Sequence, residues 1–176
     1  MPHILGVDPG YRNLGLAVID VSGPRPTLVW SARKSIGSPD SGLAFVRFLW
    51  PILEELHTVY DIQGVATKTP PFIMSRVKIS SLLWSITTII ATWAFVRGIP
   101  LRHIMPLNLK RACCRALGRK YDRKAIPKKK EVRAAVSSIL GSHGKTSHED
   151  DAALAAILLY TKYIPDEPAT KAHTRA

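Results

Sequence analysis

Acidic side chains are scarce in this chain. Its 176 residues hold 13 Asp and Glu against 25 Lys and Arg, for a formal net charge of +12. Such an excess attracts polyanions and raises the rate of encounter with them. Nucleic acid is therefore the first candidate partner and an acidic membrane surface the second. Cysteine is nearly absent: Cys113 and Cys114 stand side by side and alone. They make neither a disulfide framework nor a zinc spacing, and they fit a reducing, intracellular setting. No basic region followed by a long apolar run opens the chain, so no signal peptide is expected. Long uncharged runs are also lacking, with one exception. Ile79 to Val96 is 18 residues without a charge, barely the length of a bilayer span. Ser81, Ser85, Thr88 and Thr92 fall on one helical face of it, and Leu82, Ile86, Ile89 and Trp93 on another. That pattern is a soluble helix with a small polar stripe, and no membrane partner is expected.

The chain has no internal repeats and reads as one domain, 1–176, with a polar, frayed tail from Ile164 to Ala176. Ile4 to Asp8, Leu14 to Val21 and Thr27 to Lys34 read as three strands joined by short links, an antiparallel meander. A helix follows from about Gly42 to Tyr60, with Leu43, Val46, Leu49, Leu53 and Leu56 on one face and Pro51 as a kink. Ile62 to Thr67 is a fourth strand, stopped by Pro70-Pro71. A long helix from about Ser75 ends near Gly98-Ile99-Pro100. Leu101 to Ile104 is a short fifth strand. Helices from Pro106 to about Leu117, Lys129 to Leu140 and His148 to Tyr163 complete the chain, with a basic loop before the second. This order predicts an α/β fold, a mixed five-stranded sheet flanked by helices, with chemistry gathered at strand ends.

Two features bear on chemistry. Gly6-Val7-Asp8-Pro9-Gly10, followed by Gly15, puts a carboxylate at the exposed end of a buried strand. The glycines allow a tight turn and the close approach of a phosphate backbone. Such an Asp suits a divalent cation, and it equally suits a plain Asp-Pro-Gly turn. Ser147-His148-Glu149-Asp150-Asp151 opens the last helix and gathers three of the few acids. Ser147 and Asp150 form a variant capping box, and acids favour a helix N-terminus. His148 is not explained that way. It shares a helical face with Asp151. The Ala-rich face that follows packs closely on a sheet and would bring Asp151 near Asp8.

Together these stretches resemble RuvC-type Holliday-junction resolvases. Ile4 to Gly10 through Gly15 looks like the family's opening, and His148 to Ala155 like its closing helix. Val65 to Phe72 sits where the family has its fourth-strand motif. The resemblance implies an RNase H-like domain, a homodimer, and Mg²⁺- or Mn²⁺-dependent cutting of four-way or branched DNA. Asp8, His148 and Asp151 would be the metal ligands. One departure is serious: Lys68 stands in the phase where the family has a glutamate. An ammonium repels the cation that a glutamate binds, at roughly 4 kcal/mol per unit-charge pair at 4 Å and an effective dielectric of about 20. The expectation is a resolvase whose cleavage is weak or absent. The alternative is a non-catalytic junction-binding protein in which Lys68 fills the vacated cation position.

Basic residues concentrate from Lys110 to Arg133, a composition suited to phosphate contacts. In the resemblance, Lys110 and Lys129 match lysines that face DNA, and Phe72 matches an aromatic at the junction centre. Phe72 could stack on an opened base or belong to the core. Arg76 lies at the same edge, within reach of a phosphate. The stripe of the long helix implies self-pairing, since the family's dimer uses this helix.

Overall fold

The structure, a computed structural model, describes residues 2–10, 12–35, 37, 41–71 and 74–163. The tail expected to fray from Ile164 lies outside the described residues. Among the described residues, five strands and five helices follow one another as β1 (His3–Asp8), β2 (Asn13–Asp20), β3 (Thr27–Ser35), α1 (Gly42–Tyr60), β4 (Ile62–Lys68), α2 (Val77–Val96), β5 (Leu101–Ile104), α3 (Pro106–Ala116), α4 (Lys129–Leu140) and α5 (Ser147–Tyr163). A 3-10 turn, Met74–Arg76, leads into α2. The sheet order is β3-β2-β1-β4-β5. The first three strands are antiparallel, and β4 runs parallel to β1 and to β5. This is the expected mixed sheet. Its central strand, β1, ends at Asp8.

Helices cover both faces. On one, α1 and α2 pack against Leu5, Val7, Leu14, Leu16 and Val18. On the other, α3, α4 and α5 pack against Ile4, Ala17, Ile19 and Ala66. Side chains alternate along a strand, so Asp8 shares the face of Ile4, and Lys68 the face of Ala66. Val7 pairs with Thr67 in the parallel register, which sets Asp8 and Lys68 side by side at the sheet's end. The face they share is the one α5 covers.

At Gly10 a Cβ would lie 1.9 Å from the Asn13 carbonyl oxygen, as the expected tight turn requires, but Gly6 and Gly15 act differently from expectation. A Cβ at Gly6 would lie 1.9 Å from the carbonyl oxygen of Ala152, and one at Gly15 would lie 2.1 Å from that of His148. The missing side chains admit the backbone of α5, not a phosphate. Ala152, Ala153, Ala155 and Ala156 are fully buried and complete the close approach. Gly15 stands opposite Asp8 in the β1–β2 register, so it fixes how near His148 comes to that carboxylate. Gly15→Ala should cost about 1–3 kcal/mol or more, because the contact is with backbone that cannot rotate away. Denaturant unfolding of that variant beside Gly98→Ala, whose Cβ meets nothing within 4 Å but whose φ is +65°, would separate crowding from backbone strain. An equal loss in both would remove the crowding account.

Helix α1 corrects one reading. Its buried residues are Phe45, Leu49, Leu53 and Leu56, while Leu43 and Val46 are exposed. The helix continues through Pro51. Helix α2 is long and apolar enough to cross a bilayer by length and composition. Its Leu82, Ile86, Ile89 and Trp93 are nevertheless buried in the protein core. The Trp93 indole N–H donates to Glu54 of α1 at 2.9 Å, and Arg97 pairs with the same carboxylate.

Candidate active site

Parity and register bring four sequence-predicted residues to one point. His148 Nδ1 lies 2.8 Å from Asp8 Oδ2. An ionised carboxylate only accepts, so the imidazole donates and carries its proton on Nδ1. Lys68 Nζ donates to Asp151 Oδ2 at 2.7 Å and pairs with Asp8 Oδ1 at 3.0 Å. Asp8 is buried, while the Lys68 and Asp151 side chains are about a quarter exposed, at 24% and 29%. Burial disfavours the ammonium of Lys68, but the charges of Asp8 and Asp151 and its hydrogen bonds to both outweigh that and hold its pKa above the ordinary lysine range. Burial pushes the Asp151 carboxyl above its ordinary range; Asp8 adds to the push, and Lys68 and His148 offset only part of it.

These groups open on a cleft of about 310 Å³. Lys110 of α3 and Lys129 of α4 line the same cleft, with Pro106, Leu109, Pro127, Val132 and Leu154 forming apolar wall. Six of the eight residues singled out from sequence therefore meet in one place. Phe72 lies outside the described residues. Arg76 stands in the 3-10 turn, and its side chain is not among the described ones.

The other two acids of the motif are structural. Thr146, not Ser147, caps α5. Its hydroxyl donates to Glu149 Oε1 at 3.0 Å and accepts from the Glu149 N–H at 3.4 Å. Glu149 Oε2 also accepts from Ser31 of β3 at 2.7 Å and from the Lys145 N–H at 3.0 Å. Burial opposes its ionised form, but these hydrogen bonds win and hold its pKa below the ordinary range. Asp150, buried, accepts from the Gly144 N–H at 2.9 Å and from Arg133 at 3.1 Å. Arg133 also donates to the Lys145 carbonyl at 3.2 Å. Arg133 thus leaves the set of free phosphate contacts, and Arg119, paired with Glu131, is partly committed as well. Ser31 was not foreseen: it lies 118 residues from its partner, and an isolated strand serine carries no signal of such a bond. The buried Cys113 thiol is pushed up to about 11, chiefly by burial, which leaves little reactive thiolate near neutral pH.

A divalent cation needs hard oxygen ligands converging on one point. Here the Lys68 ammonium bridges the two carboxylates, and the second oxygen of Asp8 is engaged by His148. Among the described residues no group of three or more His, Cys, Asp or Glu is arranged to hold a metal ion. As the chain stands, these residues do not fit Mg²⁺ or Mn²⁺.

A mixed sheet of this order, with an acidic residue ending its central strand and a closing helix laid over it, is the RNase H-like α/β architecture. No family model matches the chain, and no curated protein does. Solved structures do. Thermus thermophilus RuvC is 25% identical with a TM-score of 0.71, over 92% of this chain and 96% of that one. The same protein in complex with a Holliday junction substrate matches at 24% identity and TM-score 0.71, over 93% and 96%. The yeast mitochondrial Holliday junction resolvase matches at 13% identity and TM-score 0.62, over 87% and 75%. The fold is thus that of RuvC and other Holliday junction resolvases.

Proposed function

We propose that this chain binds four-way or branched DNA as a nuclease-class protein of the Holliday-junction resolvase type, with cleavage suppressed by Lys68. The observation that carries the reading is the cleft itself. Asp8, His148 and Asp151 share it with Lys110 and Lys129, so phosphate-attracting charge stands beside the groups that resolvase chemistry would use. Structures with this fold include two solved with Holliday junction DNA, from Thermus thermophilus and Fowlpox virus. Between Lys110 and Lys129 the chain adds exposed positive charge at Arg111, Arg115, Lys120, Arg123, Lys124 and Lys128, as a long nucleic-acid contact requires.

The suppression follows from charge. Hydrolysis in this class is expected to use Mg²⁺ or Mn²⁺, and the fitted ammonium opposes either. The second reading, junction binding without cutting, is favoured by that same ion-paired lysine. A homodimer is part of the proposal. Along α2, Val77, Ser81, Trp84, Thr88 and Phe95 are exposed and Ala91 half-buried. They recur at alternate steps of four and three, the spacing of a seam between paired helices. Two copies would address the two symmetric strands of a junction. An intracellular, reducing compartment completes the reading.

The test is a binding comparison at one salt concentration among a four-way junction, a linear duplex of equal length and an RNA–DNA hybrid. Preferential binding of the junction is the expected result. Equal affinity for all three would reduce the chain to a general polyanion binder.

A further inference from the structure

We propose that Lys68 is the resident cation of this cleft, a tethered ammonium that gives the fold the stability a bound divalent ion would otherwise supply. Asp8 and Asp151 come from distant parts of the chain, one ending β1 and the other in the first turns of α5. Two carboxylates facing one cleft would, without a cation between them, repel each other and oppose the packing of α5 on β1. The Lys68 ammonium lies 3.0 Å from Asp8 and 2.7 Å from Asp151, and it reaches them from β4. One side chain therefore ties together the two central parallel strands and the helix that covers them. The three side chains are at most 29% exposed, so water screens the pairs less than it would on an open surface. The lysine needs no binding equilibrium to stay in place, since its backbone is held in the sheet by the β4–β5 pairing with Ile104.

The consequence is a site whose need for an external cation has been removed. With glutamate at this position, three carboxylates would crowd the same point, and the folded state would carry their mutual repulsion until a divalent ion entered. With methionine, the two acids would remain unneutralised while the bulk of the lysine stem was kept. The inference needs no DNA, so it stands or falls apart from the junction-binding reading.

Thermal unfolding of the unaltered chain, Lys68→Met and Lys68→Glu, each in chelator and in millimolar MgCl₂ or MnCl₂, tests it. In chelator the unaltered chain should melt highest and Lys68→Glu lowest, by roughly 5 °C or more, with Lys68→Met between them. Either metal should raise the midpoint of Lys68→Glu and leave the unaltered chain unmoved. Titration calorimetry with MnCl₂ should show binding to Lys68→Glu alone at the concentrations that move its midpoint. A gain by the unaltered chain equal to that of Lys68→Glu would overturn the proposal, because its cleft would then accept the ion beside the ammonium. Equal midpoints for all three chains in chelator would overturn it too, by showing that the tethered charge stabilises nothing.

Discussion

With Lys68 replaced by glutamate, the chain should cut a four-way DNA junction in Mg²⁺ roughly a thousandfold faster than it does unaltered. The magnitude comes from the repulsion that the substitution removes. An ammonium about 4 Å from a unit positive charge costs roughly 4 kcal/mol at an effective dielectric of about 20, and a divalent ion raises that further. Each 1.36 kcal/mol is a factor of about ten in rate, so even the unit-charge figure corresponds to about three powers of ten. The other groups expected to act, Asp8, His148 and Asp151, already line the same cleft, and the Asp8–His148 hydrogen bond would have to open to the ion. Single-turnover cleavage of a labelled junction measures the effect. Robust, equal cleavage by both chains would show that the lysine moves aside when DNA and metal arrive, and the charge argument would fail. Two inactive chains would place a further defect outside position 68.

The second large effect concerns binding. Lys110→Ala combined with Lys129→Ala should weaken junction affinity roughly ten- to a hundredfold at low salt and flatten the slope of log affinity against log salt by about two. Both lysines line the cleft, from α3 and α4 on the same face of the sheet. Each would neutralise one phosphate and release its share of condensed counterions, so the slope and the affinity should fall together. Fluorescence anisotropy at several salt concentrations reads both. An unchanged slope would take the pair out of the interface, whatever happened to affinity at a single salt. Arg133 is not in this set, because its guanidinium is committed to Asp150 and to the Lys145 carbonyl.

The sheet and its helices were readable because their boundaries carry strong local signals. Pro106 opens α3, Gly98 and Gly141 follow α2 and α4 in the left-handed conformation, and the ends of α1, β5 and α4 fall where the sequence predicts. The face of α1 was less legible. Leu43, Phe45, Val46, Phe48, Leu49 and Trp50 are apolar nearly all round the helix, so periodicity alone does not choose Phe45 over Leu43 and Val46. The contact with α2 and the sheet does. The sequence places the acidic motif at the opening of α5, where the structure has it, but does not show its internal division of labour. Thr146 takes the cap that Ser147 was expected to fill, because Glu149 can return the bond while also holding Ser31. The role of Gly6 and Gly15 depends on a helix more than a hundred residues away, and a glycine in a strand reads the same whether a phosphate or a helix approaches it. Lys68 was legible as a misfit of charge; that it binds both acids at once required the parallel register of β1 and β4.

Helix α5, which carries His148 and Asp151, is also deeply enclosed by the rest of the chain. From Ala152 to Ile157 every residue is buried, and its first turn is fastened by Glu149 and Asp150 to β3 and α4. Amide exchange from such a helix proceeds through the largest openings of a protein, close to complete unfolding. Half of the site therefore sits on an element whose opening is expected to be tied to that of the core. If the proposed junction reading holds, adjustment to the differing arms of a branched substrate would fall to the basic segment between α3 and α4 rather than to this helix.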